Sequence, residues 1–128
     1  MTQFDAGRPI YQQIAERIRN DMVSGRLESE AQIMSTNEYA RAFRINPATV
    51  ARAFNDLVEA GLIYKRRGLG MFVCPDAGQR LRAERRERFL AESVDPLVAE
   101  ARLLGIPLEE VIERVRQADD AKGKKGEL

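Results

Sequence analysis

Residues 35–73 read STNEYARAFRINPATVARAFNDLVEAGLIYKRRGLGMFV, and this stretch decides the fold. Ser35 with Glu38 three positions on makes a capping box, which predicts a short helix over about 36–42 with Tyr39, Ala40 and Phe43 turned inward. Arg44-Ile45-Asn46-Pro47 breaks that helix, because the residue before a proline is driven out of the helical region. Asn46 is a good N-cap and Pro47 a good first residue for a third helix reaching about Ala60. Val50, Phe54, Leu57 and Val58 are predicted on its buried side, and Gly61 stops it. The apolar period then shortens. Two short runs, 62–65 and 71–73, flank Arg66-Arg67-Gly68-Leu69-Gly70 and read as a β-hairpin that Pro75 closes.

Upstream, a helix begins at Pro9, with Ile10, Ile14, Ile18 and Met22 at four-residue spacing and Gln12, Glu16, Arg19 and Asn20 on the other face. Gly25 ends it with a left-handed cap, and residues 26–34 read as a connection. Downstream, residues 78–94 form a charged helix whose few apolar positions include Leu81, Phe89 and Leu90. Asp95-Pro96 interrupts, kinks or restarts it, and Leu97, Val98, Ala101 and Leu104 carry an apolar face to Gly105. Pro107 opens a last helix with a stripe of Leu108, Val111, Ile112 and Val115, and residues 119–128, without apolar pattern, read as a frayed tail. The fold class expected is mostly α with a small β-hairpin: a winged helix-turn-helix over 1–75, a short helical dimerisation region over 76–118 and a flexible tail over 119–128.

Composition narrows the function. The 128 residues include one cysteine, Cys74, and no histidine. Triads that depend on histidine and most transition-metal sites are thereby excluded, so no cofactor, metal or enzymatic activity is expected. No stretch reaches the run of about 18 apolar residues a membrane span requires, and the N-terminus lacks a basic start followed by an apolar stretch, so a cytoplasmic protein is expected. Cys74 reads as a quiet residue at the end of a strand. Net charge is +1, with 10 basic against 8 acidic residues up to Pro75 and 11 against 12 beyond it. Any claim of nucleic-acid binding therefore rests on where particular residues sit, not on overall charge.

The element order itself is informative. A short helix set across a first one leaves the third free to enter a major groove about 12 Å wide, while a hairpin reaches flanking backbone or minor groove. Arg66 and Arg67 at the hairpin tip are placed to release counterions from phosphate, and Gly68 and Gly70 permit the turn and a close backbone approach.

The runs PIYQQIAERI from Pro9, GRL from Gly25, STNEYA from Ser35, NPATVARAFNDL from Asn46 and EAGLIYKRRGLGMFV from Glu59 resemble the GntR family DNA-binding domain over about residues 8–74. The NPATVARAF segment and the short C-terminal part resemble its YtrA branch, in which a small helical dimerisation region replaces a large effector-binding domain. The resemblance implies a homodimeric regulator of transcription, more often a repressor, commonly controlling genes for membrane transporters. Some positions depart from the family. Ile33-Met34-Ser35 stands for Leu-Pro-Ser, Asn37 occupies a position where arginine is common, and Pro47 and Ala51 replace two frequent arginines. These departures bear on the operator sequence, not on the fold.

The residues expected at DNA are Ser35, Asn37, Arg44, Asn46, Ala48, Thr49, Arg52, Arg66, Arg67 and Gly68. Ser35 caps the second helix and offers its hydroxyl or N–H to a phosphate. Arg52 is suited to a bidentate contact with guanine, and Thr49 to a phosphate or a thymine methyl. Arg44 is a phosphate candidate in the turn. Tyr11 and Tyr39 read as packing residues with a polar tip, and the charges from Arg80 to Arg88 as a solvated helix face. Two C-terminal helices cannot bury much surface alone. Phe89, Leu97, Leu104, Leu108, Val111, Ile112 and Val115 are therefore expected to pair with a second copy, giving two recognition helices on an inverted-repeat operator of double-stranded DNA. A small-molecule effector between subunits remains open, with no ligand indicated.

Overall fold

The computed structural model describes residues 4–126, with side chains described to residue 123. Helix α1 (Ile10–Ser24) ends where Gly25 turns left-handed at φ 89°. It is followed by strand β1 (Gln32–Ile33), helix α2 (Thr36–Phe43), helix α3 (Pro47–Glu59), and strands β2 (Ile63–Arg66) and β3 (Gly70–Val73). Beyond these lie α4 (Ala77–Phe89), a π-helical turn over Leu90–Val94, α5 (Asp95–Leu104) and α6 (Leu108–Gly126).

The helix boundaries follow from local chemistry. Both halves of the capping box form: Ser35 Oγ accepts from the Glu38 N–H at 3.1 Å, and Glu38 Oε1 accepts from the Ser35 N–H at 2.9 Å. Asn46 Oδ1 accepts from the Ala48 N–H at 2.8 Å, with Pro47 at the first helical position. Pro96 has no N–H to give and its ring excludes the carbonyl four residues back. The helix widens just before it, and the Asp95 N–H bonds the Leu90 carbonyl.

The core of the first compact unit, residues 1–84, joins Ile14, Ile18 and Met22 of α1 to Tyr39 and Ala40 of α2, Val50, Ala53, Phe54 and Leu57 of α3, and Leu62, Ile63 and Val73 of the hairpin. Four details differ from the sequence reading. Val58 was expected inside but is 44% exposed, and Ala53 is fully buried instead. Val50, Ala53, Phe54 and Leu57 follow the i, i+3, i+4, i+7 spacing of one helix face, which leaves Val58 at its margin. The hairpin is part of a three-stranded antiparallel sheet in the order β1-β3-β2, with Gln32 opposite Phe72 and Ile33 opposite Met71. A two-residue strand has no periodicity to read. The unit also continues past Pro75. Ala77 and Leu81 of α4 are buried in it, Arg80 donates to the carbonyls of Gly61 and Ala60 at 3.1 and 2.8 Å, and Arg82 donates to the Val23 carbonyl at 3.2 Å. These two arginines satisfy carbonyls at the ends of α3 and α1 and are not simply solvated charges.

The second unit, residues 85–128, contains the π-turn, α5 and α6. Ala101 is its one buried apolar residue among those described. Within the segment read as a frayed tail, residues 119–126 are helical, because α6 continues to Gly126. Once a helix is nucleated upstream each further residue adds one hydrogen bond, and Ala121 with the lysines here favours that extension without any apolar stripe. Residues 127 and 128 lie outside the described ones.

Candidate nucleic-acid interface

Ser35, Thr36 and Asn37 form the start of α2. Helix geometry leaves the N–H groups of Thr36 and Asn37 without intrahelical partners, whereas the Ser35 N–H is taken by Glu38. Both Ser35 groups are engaged in the capping box, so the N–H groups of Thr36 and Asn37 are what the start of α2 leaves open to a phosphate. The hydrogen bond from the Ser35 backbone, then that from its hydroxyl, hold the Glu38 carboxyl below its ordinary range. A depressed carboxyl stabilises the fold above its unfolded pKa, and this contribution disappears as pH falls through the lower folded value. Ser35→Ala should cost about 1 kcal/mol at neutral pH. Its deficit in melting temperature against wild type should shrink below about pH 4; a deficit independent of pH between 7 and 3 would rule out the coupling.

Arg44 ends α2 in the left-handed region at φ 55° and is exposed. Its conformation turns the chain into α3. On α3, Asn46 and Ala48 are exposed, Thr49 is half-buried and Arg52 is exposed. The spacing of three places Thr49 and Arg52 on one helix face. Asn46 spends its side-chain oxygen on the helix cap.

The hairpin divides its two arginines. Arg66 is the last residue of β2, and its guanidinium folds back over the sheet, 4.6 Å from the Phe72 ring centroid and 2.9 Å from Glu30 Oε2. Tyr64 donates to the other Glu30 oxygen at 2.8 Å, a bond that holds its phenol above the ordinary range. Arg66 opens the turn, its carbonyl accepting from the Leu69 N–H at 2.9 Å, so both arginines stand at the tip as expected, but the Arg66 side chain folds back along its strand face and Glu30 partly neutralises it. Arg67, at the turn itself, has no ion pair among the described residues. Gly68 has φ 79° with open space where a Cβ would stand. Gly70 has φ 123°, and a Cβ there would lie 2.8 Å from Gln32 Nε2, the amide that ties the turn by donating to the Leu69 carbonyl at 2.7 Å.

Two residues at this surface, and the partner of a third, escaped the sequence reading. Glu30 adopts φ 67° and clamps Tyr64 and Arg66. Gln32 holds the turn. Tyr11 carries the Arg52 guanidinium, 3.7 Å above its ring centroid. All three act across 30 or more residues of chain, a separation that periodicity does not register. Cys74 is half-buried, and burial, followed by Asp76, pushes its thiol up, away from reactive thiolate.

Three packed helices with a capped, exposed helix start and a hairpin with a cationic turn define a winged helix-turn-helix, the DNA-binding module of a transcription regulator. The model of the bacterial regulatory proteins of the gntR family matches residues 10–73. The chain belongs to that family, and to its YtrA-like branch. It is 29% identical to the HTH-type transcriptional repressor YtrA of Bacillus subtilis over 131 aligned residues, covering 99% of this chain and all of that protein. A GntR family transcriptional regulator from Listeria monocytogenes superposes with a TM-score of 0.67 at 31% identity, covering 89% of this chain and 98% of that one. The structure of AraR(DBD) in complex with operator ORR3 matches 58% of this chain and 87% of its own, with a TM-score of 0.50 and 31% identity. The protein is a DNA-binding transcriptional regulator and not an enzyme.

Proposed function

We propose that the protein is a cytoplasmic homodimeric repressor that binds an inverted-repeat operator, with α3 in the major groove and the hairpin on flanking backbone or minor groove. The observation that carries this reading is the uncompensated charge of Arg52 on α3 and of Arg67 on the hairpin turn, together with the free N–H groups at the start of α2. Ser35, Asn37 and Arg44 then meet phosphate, Asn46, Ala48, Thr49 and Arg52 meet base edges or adjacent phosphate, and Arg67 and Gly68 meet the flank. Arg66 contributes after leaving Glu30, or by keeping the hairpin upright.

Dimerisation is supported by the apolar side chains of the second unit. Phe89 is 59% exposed, Leu104 61%, Leu108 58% and Val115 56%, with Leu97 also exposed and Val111 and Ile112 half-buried. So much apolar surface in so short a segment fits a second copy of the chain. Repression fits the printed name of the YtrA relative, and control of transporter genes is what the YtrA-like resemblance implies. An open groove of about 450 Å³, lined by Leu97, Ile106, Glu110, Val111 and Arg114 among others, is where a small effector would bear on that pairing.

Selection of genomic fragments by purified protein tests the reading. One inverted repeat should emerge. Arg52→Ala should relax its preference at one base pair per half-site by about 1–3 kcal/mol. Arg67→Ala should weaken all sequences alike and lower the salt slope by about one. No enriched fragment, even at low salt, would defeat the proposal.

A further inference from the structure

Tyr11 lies 41 residues before Arg52, on a different helix, and its half-buried ring packs at the edge of the core. The Arg52 guanidinium lies 3.7 Å above the ring centroid, and its Nη2 donates to Tyr11 Oη at 3.1 Å. Tyr11 Oη also accepts from Gln12 Nε2 at 3.2 Å, so both of its acceptor positions are used. Arg52 has no carboxylate partner among the described residues. Its charge is held in place without being neutralised.

We infer that Tyr11 is the positioning residue that sets Arg52 for base recognition, an inference that rests on α3 being the DNA-reading helix. An arginine reads guanine by presenting two coplanar N–H groups to one base edge, and a free arginine loses much rotamer freedom on doing so. Stacking on Tyr11 uses the face of the guanidinium and one of its five N–H donors. The plane is fixed by the ring, the reach by the hydrogen bond, and the remaining donors stay available. A carboxylate in place of the tyrosine would hold the arginine equally well but cancel the charge that DNA attracts. An aromatic ring on α1 orders it and leaves the charge intact.

The test is a set of full-length variants, each first melted to confirm folding, then assayed on the selected operator and on single-base variants of it. Arg52→Ala removes the preference at one base pair of each half-site. Tyr11→Leu, which removes ring and hydroxyl, should weaken the preference at that same base pair by about tenfold. Tyr11→Phe, which keeps the stack and loses the hydrogen bond, should weaken it by about two- to threefold. On the Arg52→Ala background neither Tyr11 change should have a further effect on base preference. A merely structural Tyr11 predicts the opposite: equal loss on every sequence, additive with Arg52→Ala. That result overturns the inference, as does unaltered base preference in both Tyr11 variants. Where Tyr11→Leu fails to fold, the Tyr11→Phe and Arg52→Ala cycle decides between the same two outcomes. A wild-type protein that selects no sequence overturns the DNA reading itself. A wild type that selects an operator whose base preferences survive the Tyr11 changes overturns only the role of Tyr11.

Discussion

Leu104→Glu with Leu108→Glu should turn the protein into a monomer and lower its affinity for the full inverted repeat by about 100-fold or more. Both leucines are largely exposed in the single chain, 61% and 58%, so the glutamates remain in water there and folding is little affected. The cost falls on association, where an unpaired charge would have to enter an apolar interface at several kcal/mol. A half-site, which needs only one winged helix, should be bound as before. Light scattering together with titrations on full and half operators reads both effects. If the double variant keeps the wild-type mass, or binds the full repeat equally well, the pairing surface lies elsewhere.

The second large effect belongs to the core. Leu57 of α3 is fully buried in the core cluster that α1, α2, α3 and the hairpin share. Leu57→Ala removes apolar contacts and leaves a cavity, at about 3 kcal/mol, which for a unit of this size lowers the melting temperature by roughly 10–20 °C. The adjacent Val58, 44% exposed, should tolerate alanine within about 0.5 kcal/mol. Calorimetry on the two variants measures the contrast. Equal losses would mean that α3 is rotated about its axis relative to the structure, moving every proposed base contact with it.

Much of the candidate site was legible because its determinants are local. Ser35 with Glu38, and Asn46 with Pro47, specify two helix starts within four residues each, and both caps form as their chemistry dictates. Gly68 and Gly70 mark the turn because only glycine takes their backbone angles cheaply. What was missed at Arg66 and Tyr11 has one physical cause. Arg66 looked free to meet phosphate because sequence shows that a cation is present but not that Glu30, 36 positions earlier, has claimed it. Tyr11 packs with a polar tip as read, but the partner of that tip, Arg52, is on another helix. Val58 looked buried because an apolar residue next to Leu57 extends the stripe, but Val50, Ala53, Phe54 and Leu57 already complete the buried face.

The sequence by itself determined the order of elements, their caps and turns, and the family, since each depends on residues a few positions apart or on motifs in fixed order. The tertiary structure alone decided the third strand of the sheet, the grip of Arg80 and Arg82 on the ends of α3 and α1, and which cations remain uncompensated. Those are contacts between distant segments, set by how side chains pack once the chain has closed on itself, and one-dimensional spacing carries no record of them.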